Sequence, residues 1–447
     1  MTDPIPPQRP TPGDDWPTPH LPRGRTFPAQ LQLAAELLER ITAQGLPADR
    51  SLQRELTARR KMGRRDRERV RELTLFALRQ RRVLDWLLDD NAPSMAARVA
   101  ATLSLADALD PVLAEAAGLT PEATAILSRR RAEPFDSLPW TVRFNLAPAA
   151  ADQWQARQPD APESLARALD GRAAVDLHAN PRHGERDALI KELAEADIDA
   201  KAIAGLPLGL RLERPGRLTR LPSFEAGGFE IQDAGSQWVV RTVEAQPGER
   251  VLDLCAGAGG KTLGLLDEAR GQLHLTACDL HPERLDRLRT RAQRHGDTDL
   301  ELRTVDATQP LPTDLTGFDR VLIDAPCSGS GTWRRHPELR WATIDWEALA
   351  ETQSQLLEQG ACATRPGGRL VYATCSLWPA ENEAIVAAFL AQHPDWSTTR
   401  PLLDDLPDDA ITADGWIRLR PDHHGCDGFF VACLQAPIAP SPNRSVA

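Results

Sequence analysis

Cysteine is missing from the first 254 residues of this 447-residue chain, and all seven thiols lie beyond that point. An odd number without repeated CxxC spacing excludes a disulfide framework and a zinc ribbon. It points to a reducing, cytoplasmic setting with free thiols. No apolar run of membrane-spanning length occurs, and the N-terminus lacks the pattern of a signal peptide. An excess of positive charge is missing too: 53 Lys and Arg face 64 Asp and Glu, for a net charge of −11. Taken alone, that balance does not suggest nucleic acid as a partner.

The distribution of charge reverses the argument. Between Arg54 and Arg82 stand twelve Arg or Lys and four Asp or Glu, a local +8 against −19 for the rest of the chain. A basic stripe on an acidic protein suits a phosphate backbone, although a solvated helix face reads the same way.

With 41% hydrophobic residues over this length, about three domains are expected. Residues 1–26 are dense in proline and are predicted to be disordered. From 27 to 134 the pattern is helical: Leu31, Ala34, Leu38 and Ile41 share one face, as do Val70, Leu73, Phe76 and Ala77. Residues 139–228 read as a small α/β module, with a strand over "VDLHANP" (Val175–Pro181) and a helix over "RDALIKELAEADI" (Arg186–Ile198). From 229 to 436 strands alternate with helices, the signature of a doubly wound parallel sheet. Residues 437–447 read as a tail.

The third region carries the chemistry. In "ERVLDLCAGAGGKT" (Glu249–Thr262) a strand runs into Gly257, Gly259 and Gly260, and a helix follows at Lys261. Glycine permits the sharp turn, and the helix start favours anionic groups. Asp279 ends the next strand, about 20 residues on, where a carboxylate accepts from ribose hydroxyls. Asp306 follows a further strand and could hold an adenine edge. Three readings compete: a dinucleotide site, a phosphate-binding loop and an S-adenosylmethionine site. The dinucleotide pattern breaks at Thr262, and the phosphate loop lacks its first glycine, replaced by Cys255.

Two more strands end in thiols. "RVLIDAPC" leads to Asp324, Pro326 and Cys327, and "GGRLVYATCS" leads to Cys375. The carboxyl ends of neighbouring parallel strands line one crevice, so both thiols should lie near the glycine loop. Cys255, Cys278, Cys362 and Cys433 sit in apolar surroundings and read as core. The run "HHGCD" (His423–Asp427) lacks the spacing of a metal site, and no metal is expected. The acids Glu381 and Glu383 read as the start of a helix.

"DLCAGAGGKT", "DAPCSGSGTWRRHPELRW", "YATCSLWPAENE" and "DGFFVACL" resemble, in order, the motifs of the RNA cytosine-5 methyltransferase family, most of all its bacterial 16S ribosomal RNA branch. "IQDAGSQ" (Ile231–Gln237) resembles the segment that opens the catalytic domain. Residues 27–88, with "RRKMGRRDRERV", resemble more loosely the NusB-like helical domain of that branch. The resemblance implies an all-α N-terminal RNA-binding domain, an α/β linker module and a Rossmann-like class I methyltransferase domain.

By position, the resemblance makes Cys375 the nucleophile and Cys327 the thiol that assists release, with Asp324 on the cytosine and Lys261 nearby. Cys255, Ala256, Gly257, Ala258, Gly259, Gly260, Lys261, Asp279, Asp306 and Asp324 would line S-adenosylmethionine. The chemistry fits the set: carbon 5 of cytosine is a poor nucleophile until a thiolate adds at carbon 6. Structured 16S rRNA is the expected partner, with no DNA and no membrane, and the chain is taken as a monomer. Arg334, Arg335, His336 and Arg340, between Trp333 and Trp341, are expected to meet RNA. Methylation of transfer RNA and a non-catalytic ribosome-assembly role remain open alternatives.

Overall fold

The computed structural model describes residues 16–90, 92–147, 150–151, 154, 163–213, 216–297 and 299–438. They divide into two compact units. One holds the chain up to Gly171 together with Trp333–Thr343, and the other holds Arg172–Thr332 and everything from Ile344.

The first unit is helical. Helices Pro28–Gln44, Arg64–Arg79 and Met95–Leu105 contribute to one core, and the two predicted apolar faces both point into it. Gly45 ends the first helix in the left-handed region, at φ 58°, a conformation that favours glycine. The basic stripe divides. Arg60, Lys61, Arg64 and Arg65 are exposed, whereas Arg69 is buried and donates to Thr26 Oγ1 (3.0 Å) and the Pro22 carbonyl (2.6 Å).

Residues 16–26 therefore depart from the predicted disorder. Trp16 packs edge-on to Phe135 at 5.2 Å, and His20 N donates to Glu72 Oε1 at 3.0 Å. Proline-rich chain has little backbone freedom left to lose, so a few buried partners suffice to order it. Residues 1–15 and 439–447 lie outside the described residues. The helices also continue past Pro134: Trp140–Arg143 and Glu163–Asp170 belong to this unit.

The second unit contains two sheets. In the smaller, β1 (Val175–Ala179), β2 (Ala200–Ala202), β3 (Gly209–Leu212) and β4 (Phe229–Ile231) pair antiparallel in the order β2-β3-β1-β4. Its fourth strand thus comes from residues that the sequence division assigned to the next domain. Asp176 on β1, fully buried, accepts from Arg211 Nε (2.7 Å) and Nη2 (2.8 Å) and from Ala234 N (3.0 Å). That carboxylate fixes the start of helix Ala234–Thr242.

The larger sheet has β5 (Arg250–Asp253), β6 (His274–Asp279), β7 (Glu301–Thr304), β8 (Phe318–Asp324), β9 (Thr364–Thr374), β10 (Ser397–Thr399), β11 (Ile417–Leu419) and β12 (Phe429–Gln435). The order is β10-β12-β9-β8-β5-β6-β7, with β11 on β12. Strands β5 to β9 are parallel, and β12 runs antiparallel to β9. Alternate residues feed opposite faces: Val251, Leu322 and Val371 enter one core, and Leu252, Ile323 and Tyr372 the other. Both faces are covered, as a parallel sheet requires. From β5 the chain winds one way to β6 and β7, and the other way to β8 and β9. The carboxyl end of β5 is therefore the switch point, where such sheets bind ligands.

Candidate active site

The glycine loop leaves β5 at that switch point. Gly257 and Gly259 both lie in the left-handed region, at φ 57° and 82°. A Cβ on Gly259 would stand 2.0 Å from Leu288 Cδ1, so only glycine lets the loop close on helix Pro282–His295. At Gly257 the same position is open space. Asp279, at the end of β6, accepts from Gly257 N and from His281 N, both at 2.9 Å. Through these bonds it braces the turn at the end of β6. Asp306, after β7, is exposed and accepts from Thr308 N (3.1 Å) and Thr308 Oγ1 (2.6 Å). Those bonds hold its carboxyl below the usual range.

Lys261 and Thr262 open the helix Gly260–Glu268. In a phosphate-binding loop this pair serves phosphates and magnesium. Here carboxylates engage both. Lys261 Nζ lies 2.6 Å from Asp324 Oδ2, and Thr262 Oγ1 donates to Asp253 Oδ2 at 2.7 Å. Burial acts to lower the pKa of Lys261, but Asp324 and Cys375 outweigh it, so the ammonium is held above its ordinary value. Its charge also lies over the ring of Phe429, 5.2 Å from the centroid, a favourable cation–π placement. Asp253, fully buried, is pushed up to about 7, mainly by burial.

The two thiols meet. Cys327 Sγ and Cys375 Sγ stand 3.3 Å apart, each partly exposed, beyond the ends of adjacent strands β8 and β9. The hydrogen bond to Cys375 and then burial drive the Cys327 thiol well above its ordinary value. Either sulfur can be the donor in this contact. Asp324 ends β8 three residues before Cys327, and Lys261 feels both Asp324 and Cys375, so Lys261, Asp324 and both thiols form one cluster.

Three sequence expectations change. Cys362 is exposed on helix Trp346–Ala363 rather than core, because the sheet-facing positions Leu356, Leu357, Gly360 and Ala361 leave it on another side of the helix. The Trp333–Trp341 segment is not an open basic surface. Trp333, Arg334 and Arg340 are buried; Arg340 pairs with Asp170 and lies 4.7 Å over the Trp333 ring. Trp341 Nε1 donates to the Leu78 carbonyl at 2.7 Å, with Arg81 over its ring at 5.2 Å. A buried guanidinium needs a carboxylate, and Asp170 lies 170 residues away in sequence. Finally, Glu381 does more than start a helix: it is buried and bonded to both cysteine loops. No local pattern announced it.

Two regions of the chain are similar to known proteins. Residues 240–435 match the family described as "16S rRNA methyltransferase RsmB/F", and residues 150–219 match its ferredoxin-like domain. A Synechocystis protein described as "Probable ribosomal RNA small subunit methyltransferase B" is 40% identical over 284 residues, 61% of this chain and 62% of that protein. The match thus spans about three-fifths of the length of that curated relative. The solved structure of PH0851 superposes on 92% of this chain and all of its own, with TM-score 0.77 at 23% identity, which speaks for the fold alone. A methyltransferase homologue from Pyrococcus horikoshii is 28% identical, with TM-score 0.57 over 66% of this chain and 97% of its own. Among the described residues, no helix is long and apolar enough to cross a membrane. Over residues 240–435 the chain is thus similar to the RsmB/F methyltransferase family.

Proposed function

We propose that the chain methylates carbon 5 of a cytosine in 16S ribosomal RNA, with Cys375 as the covalent nucleophile. The observation that carries this reading is the pair of thiols 3.3 Å apart beside a Lys261–Asp324 ion pair of 2.6 Å. A single buried cysteine would fit packing; two at neighbouring strand ends, with charged groups beside them, fit nucleophilic catalysis.

The loop at β5 suits S-adenosylmethionine. Gly257 leaves open space at the turn, Gly259 admits the tight approach, and Asp279 offers a carboxylate to ribose hydroxyls. Cys255–Lys261, Asp279, Asp306 and Asp324 are the residues that would hold it. When bound, it supplies an electrophilic methyl group. The protein's own groups do the rest. Cys375 adds through sulfur to carbon 6 of the base, which makes carbon 5 electron-rich. Asp324, held by Lys261, binds and polarises the ring. After methyl transfer, carbon 5 gives up its proton to solvent water, the 5,6 double bond re-forms and the carbon 6–sulfur bond breaks; Cys327, 3.3 Å away, donates to the Cys375 sulfur and stabilises it as it leaves as a thiolate.

The RNA backbone is assigned to the exposed cations Arg60, Lys61, Arg64 and Arg65 of the helical unit. Binding through them should weaken steeply with salt. A cytoplasmic monomer belongs to the same reading, since the reaction needs two reduced thiols in one chain. Bisulfite sequencing of total RNA with and without the gene tests it. The expected result is one protected 16S cytosine that depends on the gene; a gene-dependent site in transfer RNA, or none, would overturn it.

A further inference from the structure

Glu381 is 1% exposed, and its carboxylate collects bonds from both loops that carry the thiols. Ser328, next after Cys327, donates through its backbone N to Oε1 (2.7 Å) and through its hydroxyl to Oε2 (2.5 Å). Ser376, next after Cys375, donates its hydroxyl to Oε2. Gln353 adds a donor at 3.3 Å from helix Trp346–Ala363. The Glu381 carbonyl accepts from Tyr372 Oη at 2.7 Å, which ties the turn to β9. We propose that Glu381 is a positioning residue: one carboxylate, bonded to the residue after each thiol, sets the spacing of Cys327 and Cys375 and stands beside the Cys327 loop. This rests on the reading of Cys375 as nucleophile.

A buried carboxylate is expensive unless fully bonded, and a neutral amide or an apolar side chain could hold two loops together. The charge itself therefore needs a reason. Cys375, Glu381 and Tyr372 face Cys327, and Lys261 and Asp324 belong to the same cluster. Tyr372, itself pushed well above its ordinary value by burial, stays neutral and adds no charge. Glu381 also acts to raise the Cys327 pKa, after the hydrogen bond to Cys375, burial and the charge interaction with Cys375.

The test uses the full chain and two readouts. Alkylation of Cys327 by iodoacetamide, followed by peptide mass spectrometry across pH, should show its midpoint about one pH unit lower in Glu381→Gln than in the parent. Methyl transfer by the same variant should fall about tenfold or more, with KM for S-adenosylmethionine nearly unchanged. Its loss of activity on the alkaline side should move to lower pH. Ser376→Ala keeps the charge and removes one tether, so it should lower kcat and leave the Cys327 midpoint in place. An unmoved midpoint in Glu381→Gln, or an unchanged kcat in Ser376→Ala, overturns the proposal. Should Glu381→Gln fail to fold, Ser376→Ala decides. If the parent transfers no methyl group to RNA, the functional reading falls, and the Cys327 midpoint still decides the role of Glu381.

Discussion

The loops after β8 and β9 are built alike, each ending a buried strand with a cysteine followed by a serine, and yet they hold their thiols differently. After β8, Cys327 follows Pro326, sits near Glu381, and its pKa is driven up. After β9, Cys375 lies on the Lys261 side, where it and Asp324 raise the ammonium's pKa. One site thus offers one sulfur whose pKa is pushed up and one placed beside a cation. Equal motifs acquire unequal chemistry from the groups opposite them.

The strongest way to break this comparison is to remove each sulfur. Cys375→Ala should cut methyl transfer by about a thousandfold or more, measured with labelled S-adenosylmethionine and 16S RNA. Equal loss in Cys327→Ala without any RNA–protein adduct would make the two loops equivalent.

A buried group elsewhere in the same unit sharpens it. His295, fully buried, lies 3.1 Å from Asp267 and 2.6 Å from Asp297. Burial alone would lower its pKa, but the two carboxylates raise it to about 9. The folded value lies above the unfolded one of 6.5. The stabilisation is therefore complete below about pH 6.5 and disappears as pH rises through about 9. Denaturant melts should lose on the order of 3 kcal/mol across that window, and His295→Gln should remove the dependence.

Lys261→Met comes next. It removes the cation beside Cys375 and leaves Asp324 without its partner, so kcat should fall by roughly tenfold to a hundredfold. If activity survives, the asymmetry between the loops owes nothing to Lys261. The smallest effect is expected far from the thiols. Arg64→Ala should weaken RNA binding uniformly and reduce the salt slope by about one, read from binding isotherms at several salt concentrations.

Local patterns in the chain carried much of this. The 3.6-residue faces of Pro28–Gln44 and Arg64–Arg79 marked the helical core, and alternation of strand and helix marked the doubly wound sheet. The glycine turn and the order of the thiols were visible because backbone conformation and strand ends are local features. What stayed hidden depends on pairing over distance. Arg340 looks like a phosphate ligand until Asp170 is found beside it. Glu381 looks like a helix opener until Ser328 and Ser376 are seen to converge on it. Residues 16–26 look disordered until Arg69 is found bonded to the Pro22 carbonyl and Thr26. Charge along a sequence reports how many groups there are, whereas burial and partners decide what they do.

The most direct measurement is to incubate Cys327→Ala with 16S RNA and S-adenosylmethionine, denature, digest, and map any nucleotide-bearing peptide by mass spectrometry. The account predicts an accumulated adduct whose cross-linked residue is Cys375. An adduct on another residue, or normal turnover with none, would contradict it.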